Sequence, residues 1–410
     1  MADFGGDDID TFRAQARDWL KAHFPPSLKG KGGFMNGEGG APSSADIRAW
    51  TRAMGETGWG VPTWPKAYGG GGLSSAQARA LQQEMNAIGA WNPIGGMGVM
   101  MFGPTLLEYG TEAQKQRHIP AIVRGEIRWC QGFSEPGAGS DLASLQAKCE
   151  DKGDHWLVNG QKIWTSGAQW ADWCFALVRT DTAKKHEGIS FIILDMRTPG
   201  VEVRPIKLIA GASPFCETFF TDVKVPKENL VGPLNGGWAI GKRLLQHERS
   251  GISGGGGAGA RGGGMFGVGG SPAELAKEYL GVDEAGRIAD SDLRTRVVAH
   301  EMDAKAFQLT AMRTVLESRS NQGPSAATSI MKNAGTKVGQ DRAELIVEIL
   351  GHQGLGWGGD GFSGEELSFV RGWLGGKATT IFGGSAEIQN NIISKRILDL
   401  PDPLSSTQTQ

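Results

Sequence analysis

Trp156-Leu157-Val158-Asn159-Gly160-Gln161-Lys162-Ile163-Trp164 is the stretch on which the reading of the fold turns. Two short apolar runs flank an Asn-Gly pair. Both residues of that pair tolerate positive φ, so the pattern predicts a β-hairpin with its turn at Asn159-Gly160. Working outward, Trp173, Phe175 and Leu177 alternate with smaller residues, as in a half-buried strand. Ile189 to Leu194 is a short apolar run, and Phe219 to Val225 reads as a further strand. Short strands between turns predict an antiparallel sandwich or barrel in the middle of the chain.

The two ends carry a different period. Ile9, Phe12, Ala16, Trp19 and Leu20 recur at three- and four-residue steps, a helical pattern that Pro25-Pro26 ends. A Gly-rich linker, Gly30 to Gly40, precedes a second helical stretch from about Ser44, punctuated by Gly69-Gly70-Gly71-Gly72. After the strands, Leu293, Val297, Phe307 and Val315 mark a long amphipathic helix from near Asp292. Ile330, Ala334, Val338, Leu345 and Ile349 mark another, which Gly351 can close, and Ser385 can cap a last helix through Leu398. The order is helical, all-β, helical: an α+β chain with domains expected at 1–127, 128–238 and 239–410.

Composition narrows the function classes. The 410 residues carry 42 Lys plus Arg against 44 Asp plus Glu, so nothing favours nucleic acid as the main partner. No apolar run reaches the roughly 18 residues that span a bilayer. The N-terminus has neither a signal-peptide core nor an Arg-rich transit pattern, so a cytoplasmic protein is expected. Cys130, Cys149, Cys174 and Cys216 stand singly with no CxxC pair, which speaks for reduced thiols and against a metal site. The 64 glycines are about twice the usual ~7%. Many fall in Gly251–Gly270, which reads either as a flexible loop or as a side-chain-poor helix segment that leaves room for a ligand.

Phe133-Ser134-Glu135-Pro136-Gly137-Ala138-Gly139-Ser140-Asp141 follows a candidate strand. Such a turn offers backbone N–H groups and hydroxyls to a polar ligand, or is a plain structural turn. It is neither a GxGxxG dinucleotide fingerprint nor a Walker loop. With its surroundings it becomes specific. Gly110-Thr-Glu-Ala-Gln114-Lys115, Pro120, Gly125-Glu126, the Phe133–Asp141 turn and Asn159-Gly160-Gln161-Lys162-Ile163-Trp164 occur in that order. Thr221-Asp222-Val223-Lys224-Val225-Pro226, Asn229 and Ile381-Phe382-Gly383-Gly384-Ser385-Ala386-Glu387-Ile388-Gln389 follow. The series resembles the acyl-CoA dehydrogenase family over nearly the whole chain.

That resemblance implies an N-terminal helical domain, a middle β-domain and a C-terminal helical bundle. It implies FAD, oxidation of an acyl-CoA thioester to the trans-2-enoyl-CoA, and electron delivery to an electron-transfer flavoprotein. A homotetramer or homodimer follows from the same resemblance. Gln131, Phe133, Ser134, Gly139, Ser140, Trp164 and Ser166 would hold the flavin, with Ser134 at the polar ring edge and Ser166 near flavin N5. Ser140 would also meet the CoA thioester arm, and Arg249 the substrate. Glu348 and Gly351 would reach a neighbouring subunit's FAD, and Ser385 with Glu387 the chain's own. The resemblance leaves open an oxidase or monooxygenase on the same fold, and a non-catalytic CoA-ester-binding subunit.

The base follows from comparing two positions. Removing the α-proton of a thioester needs a carboxylate in a dry site. Many family members place that Glu just before the Gly of the C-terminal flavin segment, where this chain has Gly383. A subgroup resembling isovaleryl- and long-chain acyl-CoA dehydrogenases places it before an Arg on an earlier helix, and Gln246-His247-Glu248-Arg249 supplies that pair. Glu248 is therefore the expected catalytic residue, against the plainer reading of a salt-bridged surface carboxylate. The family's Arg-x-x-Phe-Gly segment has no copy between Gly251 and Asp292.

Overall fold

The computed structural model describes residues 9–29, 44–254, 270–317 and 327–401; side chains of 248–254, 314–317 and 327–328 are outside the described set. The Gly30–Gly40 linker and most of the Gly251–Gly270 run therefore lie outside the described residues. The chain divides into two compact units, one of residues 1–206 and 213–244, the other of 207–212 and 245–410. Among the described residues, no helix is long and apolar enough to cross a membrane.

The first unit opens with α1 (Ile9–His23), α2 (Ala45–Thr57), α3 (Ser75–Ile88), α4 (Gly103–Tyr109) and α5 (Glu112–Val123). The boundaries follow local chemistry. Ser44, Ser74 and Thr111 each accept a hydrogen bond from the N3 amide at a helix start. Gln77 and Gln114 return the bond to complete capping boxes. α1 packs on α3, where Arg13 and Arg17 converge on the buried Glu84.

Eight strands then form one sheet: β1 (Trp129–Gly132), β2 (Lys148–Asp151), β3 (His155–Ser166), β4 (Trp173–Arg179), β5 (Ile189–Asp195), β6 (Val201–Ile206), β7 (Phe215–Pro226) and β8 (Leu230–Val231). Their order is β6-β7-β3-β2-β4-β5-β8, with β1 beside β4. The pairings are antiparallel except β1–β4 and β2–β4, which are parallel. β4 is buried on both faces, not half-buried as its alternation suggests, and so is β5, the short apolar run. Cys174, Ala176 and Val178 join a core with Val158, Phe220 and Val223. Phe175 on the other face stacks parallel to Phe102 and Phe191. Gln114 donates to the carbonyls of Glu228 and Leu230, tying α5 to the sheet's edge.

The expected hairpin at Asn159-Gly160 is not formed; β3 runs straight through it as one strand of twelve residues. The reason is a bulge. The register against β7 shifts between Val158 and Gly160, and Gly160 takes φ +152. A Cβ there would lie 2.7 Å from Ala147 Cα. The Asn159 amide engages Asp222 twice, donating to its carboxylate (3.0 Å) and accepting from its backbone N–H (2.8 Å). The positive-φ tolerance that signals a hairpin thus serves a close backbone approach. The reversal into β3 occurs instead at Asp151–His155, with Gly153 at φ +89.

The second unit contains α7 (Pro272–Leu280), α8 (Ser291–Glu317), α9 (Ala327–Ile349), α10 (Gly364–Gly376) and α11 (Ala386–Arg396). α6 (Gly237–Gly254) begins in the first unit and ends in the second. Its start is flush with β5: a Cβ on Gly237 would lie 2.3 Å from the Ser190 carbonyl carbon. The core of the second unit joins Leu275, Val297, Ile346, Ile349 and Phe369.

One buried base makes the first unit acid-sensitive. His118 is 2% exposed, edge-on to Trp129 and Trp173. Burial, with the Arg117 charge adding, lowers its pKa from 6.5 to about 4. Between those values the unfolded chain binds the extra proton and the folded chain does not. The contribution is therefore complete above pH 6.5 and is lost as pH falls toward 4, by at most about 3 kcal/mol. Urea titrations of the wild type and His118→Phe at pH 7 and 4.5 should show a flatter pH dependence for the variant. Equal slopes would contradict the assignment.

Candidate active site

The end of β1 and the end of β3 bring together the first unit's candidate residues. Gln131 is the third residue of β1, opposite Phe175 of β4. Phe133 follows, and its ring is buried edge-on against Phe175 and Phe191. Phe133 therefore offers its backbone, rather than its ring, to a ligand. Glu135 and Ala138 exchange two 3.0 Å backbone hydrogen bonds, closing a tight turn over Pro136-Gly137. Gly139 and Ser140 are exposed beyond it. The neighbouring Asp141 accepts from Ser144 and from Lys185 at 2.8 Å. A Cβ on Gly137 or Gly139 would meet nothing within 4 Å, so these glycines leave open space beside the turn.

Ser134 is set against β3 by the Ile163 N–H, which donates to its carbonyl at 2.9 Å. Immediately after Ile163, Trp164 adopts φ +60 at a second register shift against β7, between Lys162 and Thr165. For a bulky non-Gly residue this left-handed backbone is strained, by roughly 1–2 kcal/mol. The indole is nonetheless 54% exposed, touching Phe215 edge-on at 6.2 Å. Ser166 ends the strand opposite Phe215. The structure thus brings Ser134, Trp164 and Ser166 to one end of β3. A large aromatic face held out of the core beside two hydroxyls suits a planar ligand with an apolar face and a polar edge. That is the chemistry of an isoalloxazine ring, so the residues fit FAD.

Sequence reading did not single out the pair beneath this arrangement. Lys162 is fully buried; its Nζ donates to Glu135 Oε1 (2.8 Å) and to the Phe133 carbonyl (3.1 Å). The Glu135 carboxylate also accepts from the Gln146 and Ala147 amides at 2.6 and 2.9 Å. Desolvation lowers the Lys162 pKa, and Glu135 opposes that shift. The available signal was a Lys in step with the apolar Trp156 and Val158, the inward positions of the strand.

In the second unit, Ser385 caps α11 by accepting from the Ile388 amide. Glu387, in the first turn, has its pKa lowered by its own backbone N–H, then by Ser385 and by the Lys332 charge. The Gly383-Gly384 turn before the cap has φ +66 and +88. Lys332 donates to the Gly384 carbonyl at 2.8 Å, and the fully buried Gln389 donates to the Gly383 carbonyl at 3.0 Å. Glu348 lies near the other end of α9, about 24 Å along the helix from Lys332. Both Arg296 guanidinium nitrogens bind it at 2.5 Å, lowering its pKa. Gly351, at φ +54, starts the turn after α9. Glu248 and Arg249 fall on α6, but their side chains lie outside the described residues. The four thiols are buried; burial drives Cys130 well up and Cys149 to about 12, so neither is a ready nucleophile.

Three family descriptions match in chain order. They are "Acyl-CoA dehydrogenase, N-terminal domain" over residues 6–126, "middle domain" over 130–223 and "C-terminal domain" over 235–398. Acyl-CoA dehydrogenase IpdE1 of Mycobacterium tuberculosis is 34% identical over 407 residues, 96% of this chain and 98% of that protein. Acyl-CoA dehydrogenase FadE34 of the same organism is 37% identical over 350 residues, 85% of this chain and 46% of that protein. Among solved structures, one titled "Tcur3481-Tcur3483 steroid ACAD" superposes with a TM-score of 0.75 at 28% identity, covering 98% of this chain and 100% of that one.

The Trp164 backbone supplies a test independent of any ligand. In an ordinary strand, Ala is more stable than Gly. At φ +60 the order should invert, with Trp164→Gly about 1 kcal/mol more stable than Trp164→Ala in chemical denaturation. Ala equal to or above Gly would show that the left-handed turn is absent in solution.

Proposed function

The chain belongs to the acyl-CoA dehydrogenase family, and on that premise we propose that it binds FAD and converts an acyl-CoA to the trans-2-enoyl-CoA. The observation that carries the reading is the exposed Trp164 indole on a strained backbone beside Ser134 and Ser166. FAD, when bound, accepts the hydride from the substrate's β-carbon. The protein's own contribution is to orient the ring and to take the α-proton. Ser134 and Ser166 offer hydroxyls to the polar edge, and Trp164 covers one end of the ring. We assign the α-proton to Glu248 and contact with the substrate to the adjacent Arg249. Ser385 and Glu387 hold the chain's own cofactor, and the electron pair passes on to an electron-transfer flavoprotein.

The acyl group we propose is bulky and ring-bearing. The sequence that follows Glu248-Arg249-Ser250 is rich in glycine from Gly251 and so carries little side-chain volume, which suits a large acyl group. The solved neighbour titled a steroid ACAD supports the same class. Chromatography of flavin released on denaturation should give FAD. Anaerobic mixing with a panel of CoA esters should bleach the flavin faster with ring-bearing esters than with butyryl-CoA. FMN, or a protein that takes up no flavin, would overturn the cofactor; a butyryl-CoA preference would overturn the substrate class.

Glu248→Gln should keep FAD and bind acyl-CoA, yet reduce the flavin at least ~100-fold more slowly. Adding Gly383→Glu should restore only part of the rate, since a side chain at φ +66 bears about 1 kcal/mol of strain. Near wild-type reduction by Glu248→Gln would transfer the role to another carboxylate, with Glu387 the first to test.

A further inference from the structure

We propose that Lys162 is a positioning residue, whose buried ammonium sets the Ser134 hydroxyl and the Trp164 indole in one fixed relation. The inference rests on the FAD reading above and deepens it. Its basis is a run of three consecutive attachments. The Phe133 carbonyl receives Lys162 Nζ at 3.1 Å, the Ser134 carbonyl receives the Ile163 N–H at 2.9 Å, and the Glu135 carboxylate receives Lys162 Nζ at 2.8 Å. Residues 133–135 are thereby locked to residues 162–163 by one backbone N–H and one ammonium that donates twice. Ser134 sits in the middle of that lock.

The other side of the lock is Trp164. Lys162 is the last residue of β3 in register with β7, opposite Thr218, before the shift that throws Trp164 into φ +60. A strained backbone persists only where its surroundings over-determine it. Here the residue two positions upstream is held at its tip by two acceptors and along its stem by close packing. The stem is fully buried and passes β1 at contact distance: a Cβ on Gly132 would lie 3.5 Å from Lys162 Cγ, an ordinary contact, while the atom it would crowd is Cys174 Sγ at 2.9 Å.

Stability alone does not explain this choice. Removing an ammonium and a carboxylate from water costs several kcal/mol each, and an apolar pair of similar volume is often as stable. What the charge adds is direction. The ammonium needs acceptors at defined points, and the Phe133 carbonyl and Glu135 provide them on both sides of Ser134. An apolar side chain would fill the same space while leaving the 133–135 backbone free to shift against Trp164.

The test separates placement from stability. Lys162→Met leaves the Glu135 charge buried and unpaired, so it should lower the denaturation midpoint of the apoprotein. Lys162→Met with Glu135→Gln removes that orphan charge and should regain most of the midpoint. If Lys162 positions the flavin edge, the double variant should still bind FAD about tenfold more weakly, the loss expected for one hydrogen bond and part of a stacking contact. Its flavin should also show an altered visible circular-dichroism spectrum. A double variant with regained midpoint, wild-type FAD affinity and wild-type spectrum would overturn the proposal. Should the double variant not fold, Glu135→Gln alone, which keeps Lys162 and side-chain volume, takes its place: an unchanged affinity and spectrum overturns the proposal, a weakened affinity with a changed spectrum supports it. A wild-type protein that takes up no FAD would instead sink the cofactor reading itself, and this inference with it.

Discussion

An ammonium with no access to water depends on the acceptors placed around it. Lys162 has two, a Glu135 oxygen and the Phe133 carbonyl, and the turn that follows β1 is fastened through them. Glu135 in turn accepts the amides of Gln146 and Ala147, so one carboxylate fastens the chain on both sides of the exposed turn. Ala147 then passes so close to β3 that Gly160 is needed opposite it. The buried charge thus fastens residues 133–135 and 146–147 to the middle of β3, where Gly160 makes room for Ala147.

The second unit uses the same device at a smaller scale. Lys332, almost fully buried, reaches the Gly384 carbonyl, and Gln389 reaches back to Gly383. A Gly-Gly turn with two positive φ angles has little of its own to hold it. The donors from α9 and α11 supply that hold and fix the start of α11, where Ser385 and Glu387 stand. In both units a buried polar side chain pins a glycine-bearing turn next to residues that we propose hold the cofactor.

Helix ends were legible because their determinants are local. Ser385 stands at the cap expected of it, α2 starts beside Ser44 where helix was expected to resume, and Pro25-Pro26 follows the end of α1. β4, β5 and β7 were legible from apolar runs and alternation. The Asn159-Gly160 hairpin was not, because the same tolerance for positive φ serves a turn or a bulge. Only the partner strand decides, here through the Asn159–Asp222 hydrogen bonds and the approach of Ala147. The resemblance places Phe133 at the flavin without deciding which part of it faces the ligand; its ring is buried edge-on against Phe175 and Phe191. Which face of a loop residue turns inward depends on strands distant in sequence.

By itself, then, the sequence determined the helical–β–helical order, the helix caps and the motif series that marks the family. Each rests on spacing within a few residues or on the order of short motifs, and both survive without knowledge of packing. Tertiary structure alone decided that β3 is one continuous strand, that β4 is buried on both faces and that Trp164 is thrust outward at φ +60. It alone decided that Lys162 is a buried tether rather than a surface charge. Those outcomes depend on contacts between residues such as Phe133 and Lys162, 29 positions apart, and no local pattern encodes which of two distant groups will meet once water is excluded.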